Sequence, residues 1–566
     1  MISTLLVWIY IFLLTTLAGH FIFWLSGIIM KKELKSNPSV AELSFSGMVI
    51  IGIFLGYFSL FYKIGLLANL IILSAGLIYF FSRKKSLIAY FKSRKNDFLQ
   101  LPAIIKILIF IYFILLLFDA QLHPTIADTG LYHIQSIKWI NSFKVIPGLG
   151  NLHGRLAYNN HSFLLEALFN FSFLKPDFFH LVNSYLLFIL SATLIIHVQK
   201  NLKLDLKRAL LYSGLLILLQ VFYLKPASSP TPDIFSMAGI WFIFIIYFEK
   251  ISREEGNQLF WIPLLLMVFF TVTVKLSAFP VILAAGLFLA ESDLSLPKKL
   301  LWISFTGALV LIPFFIRNYF ISGYLIYPYA SINIFNPDWK MPAQYVREMK
   351  SIITTYAQAI DWKQRPISEW LPIWFSHLSR KFRIISCFIL VSPVIISLIA
   401  IISGKIRKLF SSELKIAAIC FFAIIFWFFS APNFRFIYAF LFFYLLIACL
   451  IIADLFSDSF KKYEEKISSG LPKVLIILLI LFPAWFIANF NYGELKKCTI
   501  FPAKLETVSY KSVKMNNFIV NIPNDSSTYC WNAPLPCTLF QNNIGVIDIK
   551  MRGNDLKYGF SAVEKK

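Results

Sequence analysis

The sequence predicts an all-α polytopic membrane protein with about fourteen membrane segments and a small α+β tail domain. Three observations carry this. Of 566 residues, 58% are apolar and 14% charged, whereas a soluble domain is about 45–50% apolar and about 25% charged. Apolar runs of roughly 17–22 residues, the length that crosses a hydrocarbon core, recur from residue 4 to residue 490. The third is the placement of the charge, which sums to +24. Cations cluster in short gaps: Lys31/Lys32/Lys35, Arg83/Lys84/Lys85 with Lys92/Arg94/Lys95, Lys200/Lys203/Lys207/Arg208, Lys250/Arg253, Lys298/Lys299, Lys405/Arg407/Lys408 and Lys461/Lys462/Lys466. The gaps between are poor in cations. By the positive-inside rule the basic gaps face the cytoplasm. The charge is therefore topology, and no motif supports nucleic-acid binding.

Threading the chain through these constraints gives spans at 5–29, 44–62, 65–82, 103–119, 179–197, 209–224, 233–249, 258–274, 279–290, 300–317, 383–403, 413–430, 433–454 and 472–490. The first run is too long for a signal-peptide core and lacks a basic leader, so it reads as a retained helix. The run at 279–290 is short, which suggests a re-entrant or broken pair. Segments 120–178, 318–382 and 491–566 then lie outside the cytoplasm. The chain divides into N-terminal membrane helices (1–100), a membrane domain carrying the chemistry (101–490) and an extracytoplasmic C-terminal domain (491–566). It shows no heptad run, low-complexity tract or clear short repeat.

Cysteines test this sidedness independently. Cys387, Cys420 and Cys449 fall in apolar spans and read as small core residues. Cys530 and Cys537 bracket Cys-Trp-Asn-Ala-Pro-Leu-Pro-Cys in the tail, a short proline-bearing spacing suited to a disulfide loop. Such a bridge needs an oxidising compartment. Zinc is the competing reading, but two cysteines without paired histidines make a poor site. Cys498 is left odd. In the tail, 508–524 mixes apolar and polar residues, and 543–550 reads as a short strand after a turn.

The chemistry concentrates between Asp119 and His161. Asp119, His123, Asp128, Tyr132, His133, Arg155, Asn159, Asn160 and His161 follow the end of a hydrophobic run. Ionisable groups at the mouth of a membrane helix are expensive and mark function by default. Asp128 is the best general base, although an aspartate before an amphipathic helix (133–143, expected on the membrane surface) could instead be an N-cap. Asp119 lies nearer the apolar run, where desolvation should raise its pKa, and could share or replace that role. Asp233, in Ser-Ser-Pro-Thr-Pro-Asp, stands on the same side and could also be a cap. Lys275, Arg317 and Arg435 are isolated cations at helix ends on this otherwise cation-poor side. Each alone could snorkel to headgroups; together they invite a phosphate or diphosphate. His123 and His133 could bind a divalent metal, but they lack fixed helical spacing.

The order of these elements resembles the polytopic glycosyltransferases of the GT-C class. The matching elements are Asp128–His133 in the first external loop, Ser-Pro-Thr-Pro-Asp at 229–233, Lys-Leu-Ser at 275–277, Arg-Asn-Tyr with Gly323 and Tyr-Pro at 317–328, and Ala-Pro-Asn-Phe-Arg at 431–435. They cover roughly residues 100–455. The disulfide-loop motif also resembles the end of a bacterial subgroup of such proteins. The resemblance implies inverting transfer of a hexosyl or pentosyl unit from a polyprenyl-phosphate-linked donor to a glycan, lipid or protein acceptor. It casts Asp128 as base and Lys275, Arg317 and Arg435 on the donor phosphate. Tyr132, His133, Arg155, Asn159, His161, Asp233 and Tyr327 would bind the substrates. Many relatives carry Asp-Glu in the first loop; here Thr129 follows Asp128, which puts a paired-carboxylate mechanism and its metal in doubt. Two alternatives stay open: a polymerase or ligase acting on undecaprenyl-diphosphate-linked glycans, and a non-enzymatic transporter or flippase. Abundant Phe and Ile hint at AT-rich coding and so at a bacterium, and the expected location is its inner membrane.

Overall fold

The computed structural model describes the chain outside residues 32–36, 175–179, 203, 252–259, 362–363, 403–410, 456–476, 478, 482, 485, 489–491, 497, 499, 525–528, 540–546 and 565–566. The basic clusters at 405–408 and 461–466, and most of the span expected at 472–490, lie outside the described residues.

The bundle opens with α1 (Ile2–Met30), α2 (Val40–Phe61), α3 (Leu66–Leu99) and α4 (Ala103–Asp119). Ser39 and Glu42 form a reciprocal capping box that starts α2. α1 and α2 cross closely because both carry glycine at the contact. A Cβ on Gly19 would lie 1.9 Å from the Leu43 carbonyl oxygen, and one on Gly47 1.7 Å from that of Thr15. After α4 come three short helices outside the bundle, α5 (Ile134–Ser142), α6 (Leu149–Leu152) and α7 (Ser162–Phe169). The chain re-enters through α8 (Val182–Asn201), α9 (Leu206–Tyr223), α10 (Pro232–Ile246), α11 (Trp261–Val274), α12 (Ala284–Glu291) and α13 (Leu296–Ser322). Two more outer helices follow, α14 (Ala343–Ala357) and α15 (Ile367–His377), then α16 (Arg380–Ile402), α17 (Ser412–Ser430) and α18 (Tyr438–Leu455).

Ten of the described helices are long and apolar enough to cross a membrane. The α10 segment is apolar on all sides and 94% of its span is buried, so it is the centre of the bundle; only 17% of the α3 span is, so α3 lies at the periphery. The short run expected near 279–290 is a broken pair. α11 ends at Lys275, whose backbone is extended, and a 3₁₀ stretch through Pro280 (Leu276–Leu283) leads into α12. Proline lacks the amide that an α-helix would need there.

Helix ends sort into two faces. On one, Lys200 and Tyr212 donate to the buried carboxylate of Glu249 at 3.1 and 2.9 Å, and Lys415 pairs with Glu291 at 2.6 Å. On the other, the amino group of Met1 donates to Gln121 at 2.8 Å and α5–α7, α14 and the tail gather. The tail has two antiparallel hairpins, β1 (Tyr510–Met515) with β2 (Phe518–Pro523), and β3 (Ile547–Met551) with β4 (Phe560–Glu564). The described part of the expected strand at 543–550 is thus the start of β3. Val520, Ile549 and Phe560 share one apolar cluster with Trp139, Leu152, Met341 and Tyr345.

Two expectations need correction. The helix expected on the membrane surface is α5, and it is covered. Ile134, Ile137 and Trp139 are buried, α5 packs on α7, and its polar residues Gln135 and Lys138 hold the tail. Cys387 and Cys449 are exposed on their helices rather than core residues; Cys420 is buried.

Candidate functional site

The sequence builds each side chain of the site from a helix end. Asp128 precedes a π-helical turn, Thr129–His133, that runs into α5. Its carboxylate makes no capping hydrogen bond there. Instead Arg155, on a 3₁₀ turn at Gly154–Ala157, donates to Asp128 Oδ1 at 3.2 Å, and Arg435 Nη2 lies 3.1 Å from Oδ2. Asp233 stands in the first turn of α10, where Thr231 is the N-cap. Arg435 Nε donates to Asp233 Oδ2 at 2.6 Å, and Lys275 pairs with Oδ1. The cap explanation of both aspartates therefore gives way to ion pairing. Arg435 itself is set by the α17–α18 corner. Pro432 follows the end of α17, and the Asn433 side chain accepts from the Arg435 amide at 3.1 Å.

These groups line one cavity of about 270 Å³. Arg435 bridges its two carboxylates. Tyr132, Tyr158 and Tyr327 form a wall, with ring centroids 5.8 and 5.5 Å apart in succession. Val272, Leu276, Phe314 and Phe426 supply an apolar lining. Lys275 Nζ also lies 4.5 Å from the Phe436 ring centroid. Burial alone would lower the Arg435 pKa, but the carboxylates of Asp233 and Asp128 outweigh it and hold it above its ordinary value. Burial keeps His133 neutral, lowering its pKa to about 3 against the pull of Asp128, and raises Tyr158 to about 12. Burial, reinforced by Asp128, holds Tyr132 well above the usual phenol range.

Asp128, Tyr132, His133, Arg155, Asn159, Asp233, Lys275, Tyr327 and Arg435 thus share the cavity, and Asp119, Arg317 and His161 do not. Arg317 is the main correction. It is 4% exposed and sits behind the wall, donating from Nε to Asn159 Oδ1 at 3.0 Å and from Nη1 to Ser59 Oγ at 2.6 Å. It ties α13 to α2, so donor-phosphate binding is not its role. Asn159 faces the cavity, yet both ends of its amide are engaged, since Nδ2 donates to the Phe314 carbonyl at 2.9 Å. His161 is buried between Phe270 and Phe314, its pKa lowered by burial and then by Arg317. Asp119 is 3% exposed at the end of α4, which packs against α8 away from the cavity.

The donor set does not fit a divalent metal. Among the described residues no group of three or more His, Cys, Asp or Glu is placed to hold one, and both cavity carboxylates already face cations. His123 is not part of the cavity lining and His133 is.

Sequence reasoning missed Lys350, which lines the cavity from α14 with Ile353 and Thr354. The signal was the helical spacing of Tyr345, Val346 and Met349, which bury the adjoining stripe. It also missed how the tail meets the site. Cys530 and Cys537 are bonded, with sulfurs 2.04 Å and Cα atoms 6.1 Å apart. Within their loop the Trp531 amide donates to the Gly130 carbonyl at 2.9 Å, and a Cβ on Gly130 would lie 2.4 Å from the Trp531 ring. Gln135 Nε2 donates to the carbonyls of Trp531 and Ala533, both at 3.0 Å, and Lys138 donates to that of Ala533 at 2.7 Å. The disulfide loop therefore rests on the turn that carries Asp128.

Fold and site define a polytopic helical membrane protein with an ion-paired, partly apolar cavity at one mouth of its bundle. The chain belongs to the family described as a domain of unknown function (DUF8201), whose model matches residues 1–442. That span includes Asp128, Asp233, Lys275, Lys350 and Arg435 and stops before the tail. No curated protein and no solved structure matches the chain.

Proposed function

We propose that this protein is an integral-membrane glycosyltransferase of GT-C type with about fourteen crossings. The ten long helices would be joined by shorter apolar segments such as α11 and 276–291. It moves a sugar from a polyprenyl-phosphate-linked donor to a glycan, lipid or protein acceptor on the extracytoplasmic face of a bacterial inner membrane. The observation that carries this is the shared cavity: Asp128 makes no cap but pairs with Arg435, and shares with Lys275 a partly apolar lining suited to a lipid tail.

The chemistry follows from the geometry. The donor phosphate binds at Lys275 and Arg435, the second of which can meet phosphate oxygens through two N–H groups. Arg435 now bridges Asp128 and Asp233, so an arriving phosphate competes with Asp128 for its Nη2 group. Donor binding thereby frees an oxygen of Asp128. The acceptor oxygen attacks the anomeric carbon, its proton passes to Asp128, and the bond from anomeric carbon to phosphate oxygen breaks. The electron pair leaves with the phosphate, whose charge the two cations stabilise. Tyr132, Tyr158 and Tyr327 offer faces and hydroxyls to the sugars.

The test is Asp128→Asn, assayed by transfer from a radiolabelled polyprenyl-phosphate sugar in membranes at matched expression. Asn keeps the size and would serve a cap almost as well. Transfer should fall about 10²–10⁴-fold, the usual worth of a positioned base. Near-normal turnover would remove Asp128 from the mechanism.

A further inference from the structure

The charges of the cavity do not balance. Its lining carries four cations, Arg155, Lys275, Lys350 and Arg435, against two carboxylates, Asp128 and Asp233. Three of the cations face those carboxylates. Lys350 is left over. Among the described residues no carboxylate lies within ion-pair reach of its ammonium, which instead sits 4.5 Å from the ring centroid of Tyr329. A ring face attracts a cation but leaves most of its N–H donors to water or to an incoming ligand. α14 aims this lysine deliberately. Lys350, Ile353 and Thr354, at helical i, i+3 and i+4 spacing, form the stripe that faces the cavity, while Tyr345, Val346 and Met349 bury the adjoining stripe and anchor the helix. Lys350 is itself exposed, so water and an arriving ligand can both reach its ammonium, and the surplus of two positive charges in a partly apolar cleft draws anions to it. A phosphodiester donor at Lys275 and Arg435 brings one negative charge.

We propose that Lys350 and Tyr329 form a second anion subsite, beside the donor-phosphate position, that takes a second phosphate-type anion. Its source is either the second phosphate of a diphosphate-linked donor or an acidic group on the acceptor. The subsite rests on the transferase reading for its neighbour, but its test reads binding and not transfer.

The experiment uses the full chain in nanodiscs of a zwitterionic lipid. Equilibrium binding is measured for undecaprenyl phosphate, for undecaprenyl diphosphate, and for radiolabelled orthophosphate on protein saturated with undecaprenyl phosphate. Lys350→Ala should lose about tenfold or more in one of the last two, the scale of a charge-assisted hydrogen bond. Its affinity for undecaprenyl phosphate should stay within about twofold, and Lys350→Arg should retain binding. Lys381→Ala, whose lysine rests on the Phe382 ring at 5.1 Å outside the cavity lining, is the control and should change nothing. Loss confined to the diphosphate identifies the donor as the source; loss confined to orthophosphate identifies the acceptor. No loss in either, or an equal loss for undecaprenyl phosphate, overturns the subsite. If Asp128→Asn leaves transfer intact while Lys350→Ala still loses the second anion, the transferase reading falls and the subsite stands.

Discussion

At the scale of single residues, the site is organised around Arg435, one guanidinium holding two carboxylates from different parts of the chain. Removing either acid would leave Arg435 with one carboxylate and strip Arg155 or Lys275 of its own. Because these side chains are partly exposed, the loss should fall below the roughly 3–5 kcal/mol of a fully buried pair. His133 gives this electrostatic setting a pH signature. It is fully buried in the cavity wall, and burial lowers its pKa to about 3, whereas an unfolded histidine titrates near 6.5. The unfolded chain therefore takes up the proton first. Stability is complete above about pH 6.5 and is lost as the pH falls towards the folded value. Between pH 7 and about pH 5 this one group should cost the fold roughly 2 kcal/mol, a loss that His133→Gln should lack. Melting curves of the two proteins in detergent at both pH values would check it; parallel losses would mean that His133 is not held neutral. Asp128, Asp233, Lys275 and Arg435 were legible in the sequence because charge at a membrane mouth demands a reason. Arg317 carried the same signal with a different reason. Its partners are the neutral oxygens of Ser59 and Asn159, and nothing in a serine of a hydrophobic helix announces that it will receive an arginine.

At the scale of elements, the disulfide loop and the Asp128 turn behave as one unit. Trp531 covers Gly130 so closely that only a hydrogen fits between them. Gln135 and Lys138, which an isolated α5 would show to water, point into the loop's carbonyls. Burial of the Lys138 ammonium beside these neutral acceptors lowers its pKa to about 8. Gly130→Ala should then destabilise by overpacking, typically 1–3 kcal/mol, and the cost should shrink when Trp531→Ala is also present. The double-mutant cycle on thermal stability measures the coupling. Additive effects would show that the loop does not bear on the turn. The cysteine spacing made the bridge legible, because ring closure is local. Docking of the loop was not, since it joins residues roughly 400 positions apart in the chain. The helix bearing Lys350 escaped notice for a related reason. Arg347, Glu348 and Lys350 make its segment read as solvated surface until the buried stripe of Tyr345, Val346 and Met349 is counted.

At the scale of the molecule, the helix ends separate into two chemically different faces. One joins Glu249 and Asp454 to cations of the basic gap at 200–208, and Glu291 to Lys415 at the start of α17. The other carries the cavity, the N-terminal amino group and the β-hairpins of the tail. The sequence showed this division through the spacing of apolar runs and the asymmetry of Lys and Arg, because both are summed over the whole chain and tolerate local error. Where helices break was less legible. Lys275 and Pro280 mark a break whose exact geometry depends on what α10 and α17 leave room for, and that is a packing outcome rather than a local one. The two faces make sidedness testable without any knowledge of the reaction. Glu506 is an exposed residue of the tail, and Lys298 is exposed in the first turn of α13. In intact cells a membrane-impermeant maleimide should label Glu506→Cys, and should reach Lys298→Cys only after permeabilisation. Cys387 and Cys449 are exposed on apolar spans, where a charged reagent in water should not reach them, so the parent protein sets the background. Labelling of Lys298→Cys in intact cells, with Glu506→Cys protected until lysis, would invert the protein in its membrane. The cavity would then open to cytoplasmic donors, and a lipid-phosphate sugar presented on the outer leaflet could no longer reach Asp128.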